Sequence, residues 1–162
     1  MRKWIGLAVV VWALTGCGAA PTMETVADVM VEPAAPEPRA ISVSLPGETA
    51  MPAMESDAGR IYMGSDYEIC VQTLPGGDLS ATVESMSGFA HDDLTVMTTQ
   101  QNGYARHEFV WASAGEGGDL LGRGVVLDDG NYHYALTVLR SAGTEDTSTV
   151  VWDGVFSSFR LV

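Results

Sequence analysis

Lysine is almost absent from this chain. Lys3 is the only one in 162 residues, and Lys and Arg together number eight against 21 Asp and Glu. A formal charge of −13 repels phosphate backbones, and nucleic-acid binding needs a basic footprint that is missing. Attraction to anionic lipid by charge is excluded on the same ground. The acidic residues are scattered and form no block, which fits solubility better than an acidic docking surface. Cysteine is scarce too, with only Cys17 and Cys70. The uncharged, mostly apolar run Trp4–Leu14 is too short to cross a hydrocarbon core as a helix. No window carries a sustained helical stripe. There is no Gly-x-Ser-x-Gly nucleophile elbow, and the glycines at 115, 117 and 118 lack the following Lys that a phosphate loop requires.

What is present begins with Arg2-Lys3, a short basic start before that apolar run, and the run closes on Leu14-Thr15-Gly16-Cys17. Basic start, apolar centre and small residues are the pattern of a secretory signal. The closing tetrapeptide resembles the lipobox of bacterial lipoproteins, in which a Leu, a small residue and a Gly or Ala precede a Cys. The resemblance implies diacylglyceryl transfer to the Cys17 sulfur, cleavage between Gly16 and Cys17, and acylation of the new amino terminus by a chain such as palmitate. Gly18 follows and no Asp stands there, which by the sorting pattern of enterobacterial lipoproteins implies the outer membrane. An ordinary secretory signal with an incidental Cys is the plainer alternative. The mature chain would set Arg39, Arg60, Arg106, Arg123, Arg140 and Arg160 against all 21 acidic residues. With Cys17 consumed, Cys70 has no intramolecular partner. It lies in the strand-like run Tyr67-Glu68-Ile69-Cys70-Val71-Gln72, where a small buried hydrophobe is its expected role.

Residues 17–39 are rich in Ala, Pro and Glu, and Pro33, Pro36 and Pro38 favour extended backbone. This segment reads as a tether that would hold a domain on the order of 25 Å from the lipid. Ile41, Val43 and Leu45 alternate with small residues, and a loose stretch from Pro46 to Gly59 follows. Beyond it, strands are expected at Arg60–Met63, Tyr67–Leu74, Ser80–Met86, Leu94–Gln100, Ala105–Ala112, Gly124–Leu127, Tyr132–Arg140, Thr149–Trp152 and Val155–Val162. Turn clusters such as Pro75-Gly76-Gly77-Asp78, Asn102-Gly103 and Asp128-Asp129-Gly130-Asn131 separate them.

The clearest local pattern is Tyr132-His133-Tyr134-Ala135-Leu136-Thr137-Val138, which puts Tyr132, Tyr134, Leu136 and Val138 on one face. A second alternation follows at Val155, Ser157, Phe159 and Leu161. Together with Asp129-Gly130 before it, this pair resembles the closing strands of bacterial immunoglobulin-like and fibronectin-type-III-like domains. The resemblance implies that Tyr132 is a tyrosine-corner residue and that Tyr134 stands where immunoglobulin domains carry their second Cys. It carries no activity with it.

Few constellations could carry chemistry. His107-Glu108 opens like a His-Glu-x-x-His zinc motif, but Trp111 replaces the second His and the run alternates like a strand. His133 is expected to face solvent or the opposite sheet surface. His91-Asp92-Asp93 could offer metal ligands from a loop, and Met51, Met54, Met63, Met86 and Met97 offer soft thioethers. Cys70, His91 and Met97 are too dispersed for a blue-copper loop, so Met as core filler is the simpler account. Asp128-Asp129-Gly130-Asn131 could hold calcium, yet as a hairpin turn it needs no ion.

The sequence therefore predicts an all-β protein: a signal peptide over 1–16, a lipidated Pro/Ala-rich tether over 17–39, and one immunoglobulin-like antiparallel β-sandwich over 40–162. The expected function is a non-catalytic interaction or assembly module of the bacterial cell envelope. Its membrane partner is reached through lipid on Cys17, and an envelope protein or glycan is its further partner. No cofactor, metal or catalytic residue is assigned. The alternative is an envelope lipoprotein that binds a metal or small solute through His91, Asp92, Asp93 and the Met51–Met54 stretch. A hydrolase would need Ser, His and Asp side chains brought together only by folding.

Overall fold

Alternating apolar residues between Gly- and Asn-rich turns build long antiparallel strands, and most of the chain obeys that rule. The computed structural model describes residues 36–47, 51–114, 118–142 and 149–162. The expected signal peptide, Cys17 and most of the tether lie outside them. The elements in order are β1 (Ile41–Ser42), β2 (Met54–Ser56), β3 (Gly59–Met63), β4 (Tyr67–Pro75), α1 (Leu79–Ser87), a 3-10 turn at His91–Asp93, β5 (Met97–Gln101), β6 (Tyr104–Ser113), β7 (Leu120–Asp128), β8 (Tyr132–Ser141), α2 (Thr149–Ser158) and β9 (Arg160–Leu161).

Among the described residues the fold is mostly β and every strand pair is antiparallel, as the strand rhythm predicts. Seven strands form one sheet in the order β2-β3-β4-β8-β7-β6-β5, and β1 pairs with β9 in a second, two-stranded sheet. The strands divide unevenly between the two sheets, seven to two among the described residues. The reason lies in two segments that became helices. Residues 80–86, expected as a strand, belong to α1, because Asp78 caps it by accepting from the Ser80 amide at 2.9 Å and Gly88 closes it at φ +77°. Residues 149–152 and 155–158, also expected as strands, form α2, and only Arg160–Leu161 remain extended. Trp152, Val155, Phe156 and Phe159 all pack on the same core, a spacing of three and four residues that is helical.

The pleat of the large sheet sorts its residues into two cores. On one face Ile69, Val125, Leu127, Tyr134, Leu136 and Val138 meet Val155, Phe156 and Phe159 from the α2 segment, with Ile41, Val43 and Leu161 of the small sheet beside them. On the other, Phe109, Trp111, Val126 and Ala135 meet Val83 of α1, with Leu94 and Val96 packed alongside. Each fully buried aliphatic or aromatic side chain contributes about 1.5–3 kcal/mol. The β5–β6 hairpin turns on Asn102 (φ +52°) and Gly103 (φ +86°), the paired left-handed geometry for which Asn-Gly is the preferred sequence.

Several glycines are fixed by close packing, Gly124 among them. A Cβ on Gly124 would stand 2.6 Å from Phe109 Cζ, its cross-strand neighbour. Gly124→Ala is therefore expected to destabilise the protein by about 1–3 kcal/mol, the usual cost of overpacking, read as a lowered urea midpoint with an unchanged slope. An unchanged midpoint would show that Phe109 has room to move.

Candidate functional site

Arg106 and Glu108 sit two residues apart on β6 and so share the face under α2. Buried charges there must be paired, and they are. Arg106 Nε donates to Glu108 Oε1 at 2.7 Å, Nη1 to Gln101 Oε1 at 2.6 Å and Nη2 to the Phe156 carbonyl at 3.1 Å. Arg123 of β7 reaches the other Glu108 oxygen at 3.1 Å and Asp153 of α2 at 3.0 Å, and its guanidinium lies 4.2 Å from the Phe156 ring centroid. Burial alone would raise the Glu108 pKa, but the hydrogen bonds from Arg106 and Arg123 outweigh it and hold the carboxyl below its ordinary value. This network ties β5, β6, β7 and α2 together. Sequence reasoning missed it: Arg106 and Glu108 at alternate positions of one strand were visible, but their partners on β5, β7 and α2 depend on the sheet order.

Beside the network is a cavity of about 560 Å³ whose lining includes Val110, Leu121, Arg123, Val138, Trp152 and Phe156. A second, of about 570 Å³, opens between β1 and the β3–β4 strands, with Val43, Leu45, Tyr62 and Val71 on its walls and Arg39 and Arg60 also lining it. Both volumes fall within the ligand-pocket range of about 300–1,000 Å³.

The three histidines converge on the α1 side of the sheet. His133, expected on solvent or the opposite surface, takes the opposite surface and is only 1% exposed. Its Nδ1 lies 2.7 Å from Thr82 Oγ1 and its Nε2 lies 3.8 Å from Asp128 Oδ2, with no hydrogen-bond partner among the described residues. His107 Nδ1 lies 3.0 Å from Thr98 Oγ1. Thr82, His133 and Asp128 form the closest approach to a hydroxyl–His–Asp set, yet Thr82 is buried on the sheet-facing side of α1 and lines neither of the two cavities described above. The cluster docks α1 onto the sheet.

Burial pushes the His107 pKa below 6.5; Asp128 opposes that, while His133 and His91 add to it. A histidine with a depressed folded pKa leaves stability intact above the unfolded value and removes it as pH falls below. The melting temperature is thus expected to hold between about pH 8 and 6.5 and to fall below that. His107→Gln should flatten this limb, and a wild-type limb that His107→Gln leaves unaltered would contradict it. Glu108 acts in the same sense at lower pH: its stabilisation is present above 4.5 and is lost as pH drops through its depressed folded pKa.

The remaining sequence candidates are dispersed. His91 Nδ1 lies 3.3 Å from Asp92 Oδ1, whose side chain is fully exposed. Met54 is on β2 and Met97 on β5, at opposite edges of the large sheet, about 29 Å apart at the usual strand spacing. Among the described residues, no three of His, Cys, Asp and Glu are grouped to hold a metal ion. Asp128 and Asp129 spend their oxygens on the turn: Asp128 Oδ1 accepts from the Gly130 amide, and Asp129 Oδ1 from those of Asn131 and Tyr132. Tyr134, and not Tyr132, ties the corner: its hydroxyl donates to Asp129 Oδ2 at 2.8 Å and accepts from the Arg39 amide at 2.9 Å. Cys70 is a half-buried free thiol on β4, and burial pushes its pKa up, which makes it a poor nucleophile. Compared with known proteins, the chain matches no family model and no curated relative.

Proposed function

We propose that this chain is a bacterial envelope lipoprotein, a non-catalytic interaction module held on a membrane by lipid on Cys17. The observation that carries the reading is Leu14-Thr15-Gly16-Cys17, placed directly after a short uncharged apolar run. The charge pattern supports it, because a mature chain without lysine has no electrostatic means of holding an anionic surface. At about 0.8 kcal/mol per buried methylene, two or three acyl chains anchor almost permanently where one does not. The domain supplies contact surfaces, and its catalytic-looking residues are occupied in packing. The outer membrane is the assigned destination, from the absence of Asp after Cys17.

Membrane fractionation tests this reading. The native chain is expected to sediment with membranes, to resist high salt and carbonate, and to enter solution with detergent. Release by salt alone would mean that charge holds it and would overturn the lipid anchor.

A further inference from the structure

The large sheet is unevenly finished at its two edges. At one, β2 is only three residues long, carries Glu55 in an ion pair with Arg60, and follows Pro52, three features that discourage another strand from pairing. At the other, β5 pairs only with Tyr104–Glu108 of β6. The outer edge of Phe109–Ser113 consequently has no strand beside it among the described residues, and its outward amide and carbonyl groups form a template for pairing. Residues 94–105 on this side carry no charged side chain.

The open edge adjoins the 560 Å³ cavity. Val110, Arg123 and Val138 form one cross-strand row, and Ala112, Leu121 and Arg140 the next. Both rows line the cavity, and Trp152, Asp153 and Phe156 of α2 close it. On the same face Met97 is 61% exposed, Val110 64% and Leu121 41%, an apolar fringe in a strongly acidic chain. Strand addition uses two elements in concert: main-chain pairing gives affinity, and a pocket for alternate side chains gives specificity. Both are present side by side.

We propose that the β6 edge from Phe109 to Ser113, with this cavity, takes an extended segment of another protein, apolar at alternate residues and basic beyond them. Charge selects that occupant. The edge itself is neutral, and within the cavity Asp153 is already paired with Arg123 while Arg140 lies over Trp152, so the basic flanks answer Asp119, just before the Leu120 that pairs with Ser113, and the chain's net charge of −13. A second copy would bring together two chains with 21 acidic residues each, which opposes self-pairing. The proposal rests on the interaction-module reading and names the kind of partner it takes.

A random-peptide display library, selected on the purified full-length chain in detergent and read by titration of resynthesised peptides, tests it. Enriched peptides are expected to alternate apolar residues and to carry Lys or Arg outside them. Val110→Lys, at an exposed position, should weaken them by about tenfold or more, as loss of a central apolar contact does. Met54→Lys at the far edge should leave them unchanged, and both variants should melt like the wild type. A selection that yields no binder, or binders indifferent to Val110→Lys, overturns the site. Self-association abolished by Val110→Lys would make a second copy the occupant and overturn the one assigned. A native chain whose intact mass shows no lipid, yet which selects such peptides, would sink the anchor alone, and a lipidated chain that selects none would sink the site alone.

Discussion

Arg106→Ala is expected to lower stability by about 3–5 kcal/mol, the cost of breaking a buried charged pair. The side chain is 8% exposed and makes three hydrogen bonds, to β6, β5 and the α2 backbone. Its loss leaves Glu108 with Arg123 as its one remaining cation, and leaves the Phe156 carbonyl without that donor. The melting temperature should drop on the order of 10 °C or more. Because an apolar pair of similar volume often replaces a buried ion pair without loss, Arg106→Met combined with Glu108→Leu should recover most of the deficit. A double variant no more stable than Arg106→Ala would show that the hydrogen bond to α2, and not the unpaired Glu108, dominates.

Cys17→Ser has the largest effect expected on function. If the sulfur receives diacylglycerol before cleavage, a serine there blocks both events. Incorporation of a labelled palmitate should disappear entirely, and the chain should retain Met1 as its first residue. The stability of the domain should not change, since Arg39–Val162 make their own contacts. Undiminished labelling in Cys17→Ser would place the lipid elsewhere, with Cys70 the one remaining thiol.

The sequence disclosed the strands better than the layers. Tyr132–Ser141 was legible because its alternation is long and begins at an Asp-Gly turn; Asn102-Gly103 announced its hairpin by the positive φ that both residues adopt. The two helices were hidden by competing periods. In the last segment Val155, Ser157, Phe159 and Leu161 fit a strand, while Trp152, Val155, Phe156 and Phe159 fit a helix, and the core selected the second set. Before α1 the Pro-Gly-Gly-Asp cluster reads as a turn, yet its Asp78 is also a helix cap. The placement of His133, Thr82 and Asp128 side by side depended on α1 lying over β8 and was out of reach of any local reading. The Arg106–Glu108–Arg123–Asp153 network was half legible: the alternation on β6 was visible, but the partners on β7 and α2 needed the sheet order.

The most direct measurement is the intact mass of the native protein extracted from membranes. A chain beginning at Cys17, heavier by a diacylglyceryl group and an amide-linked acyl chain, is the result this account predicts. An unmodified chain, or one that begins at another residue, would contradict it.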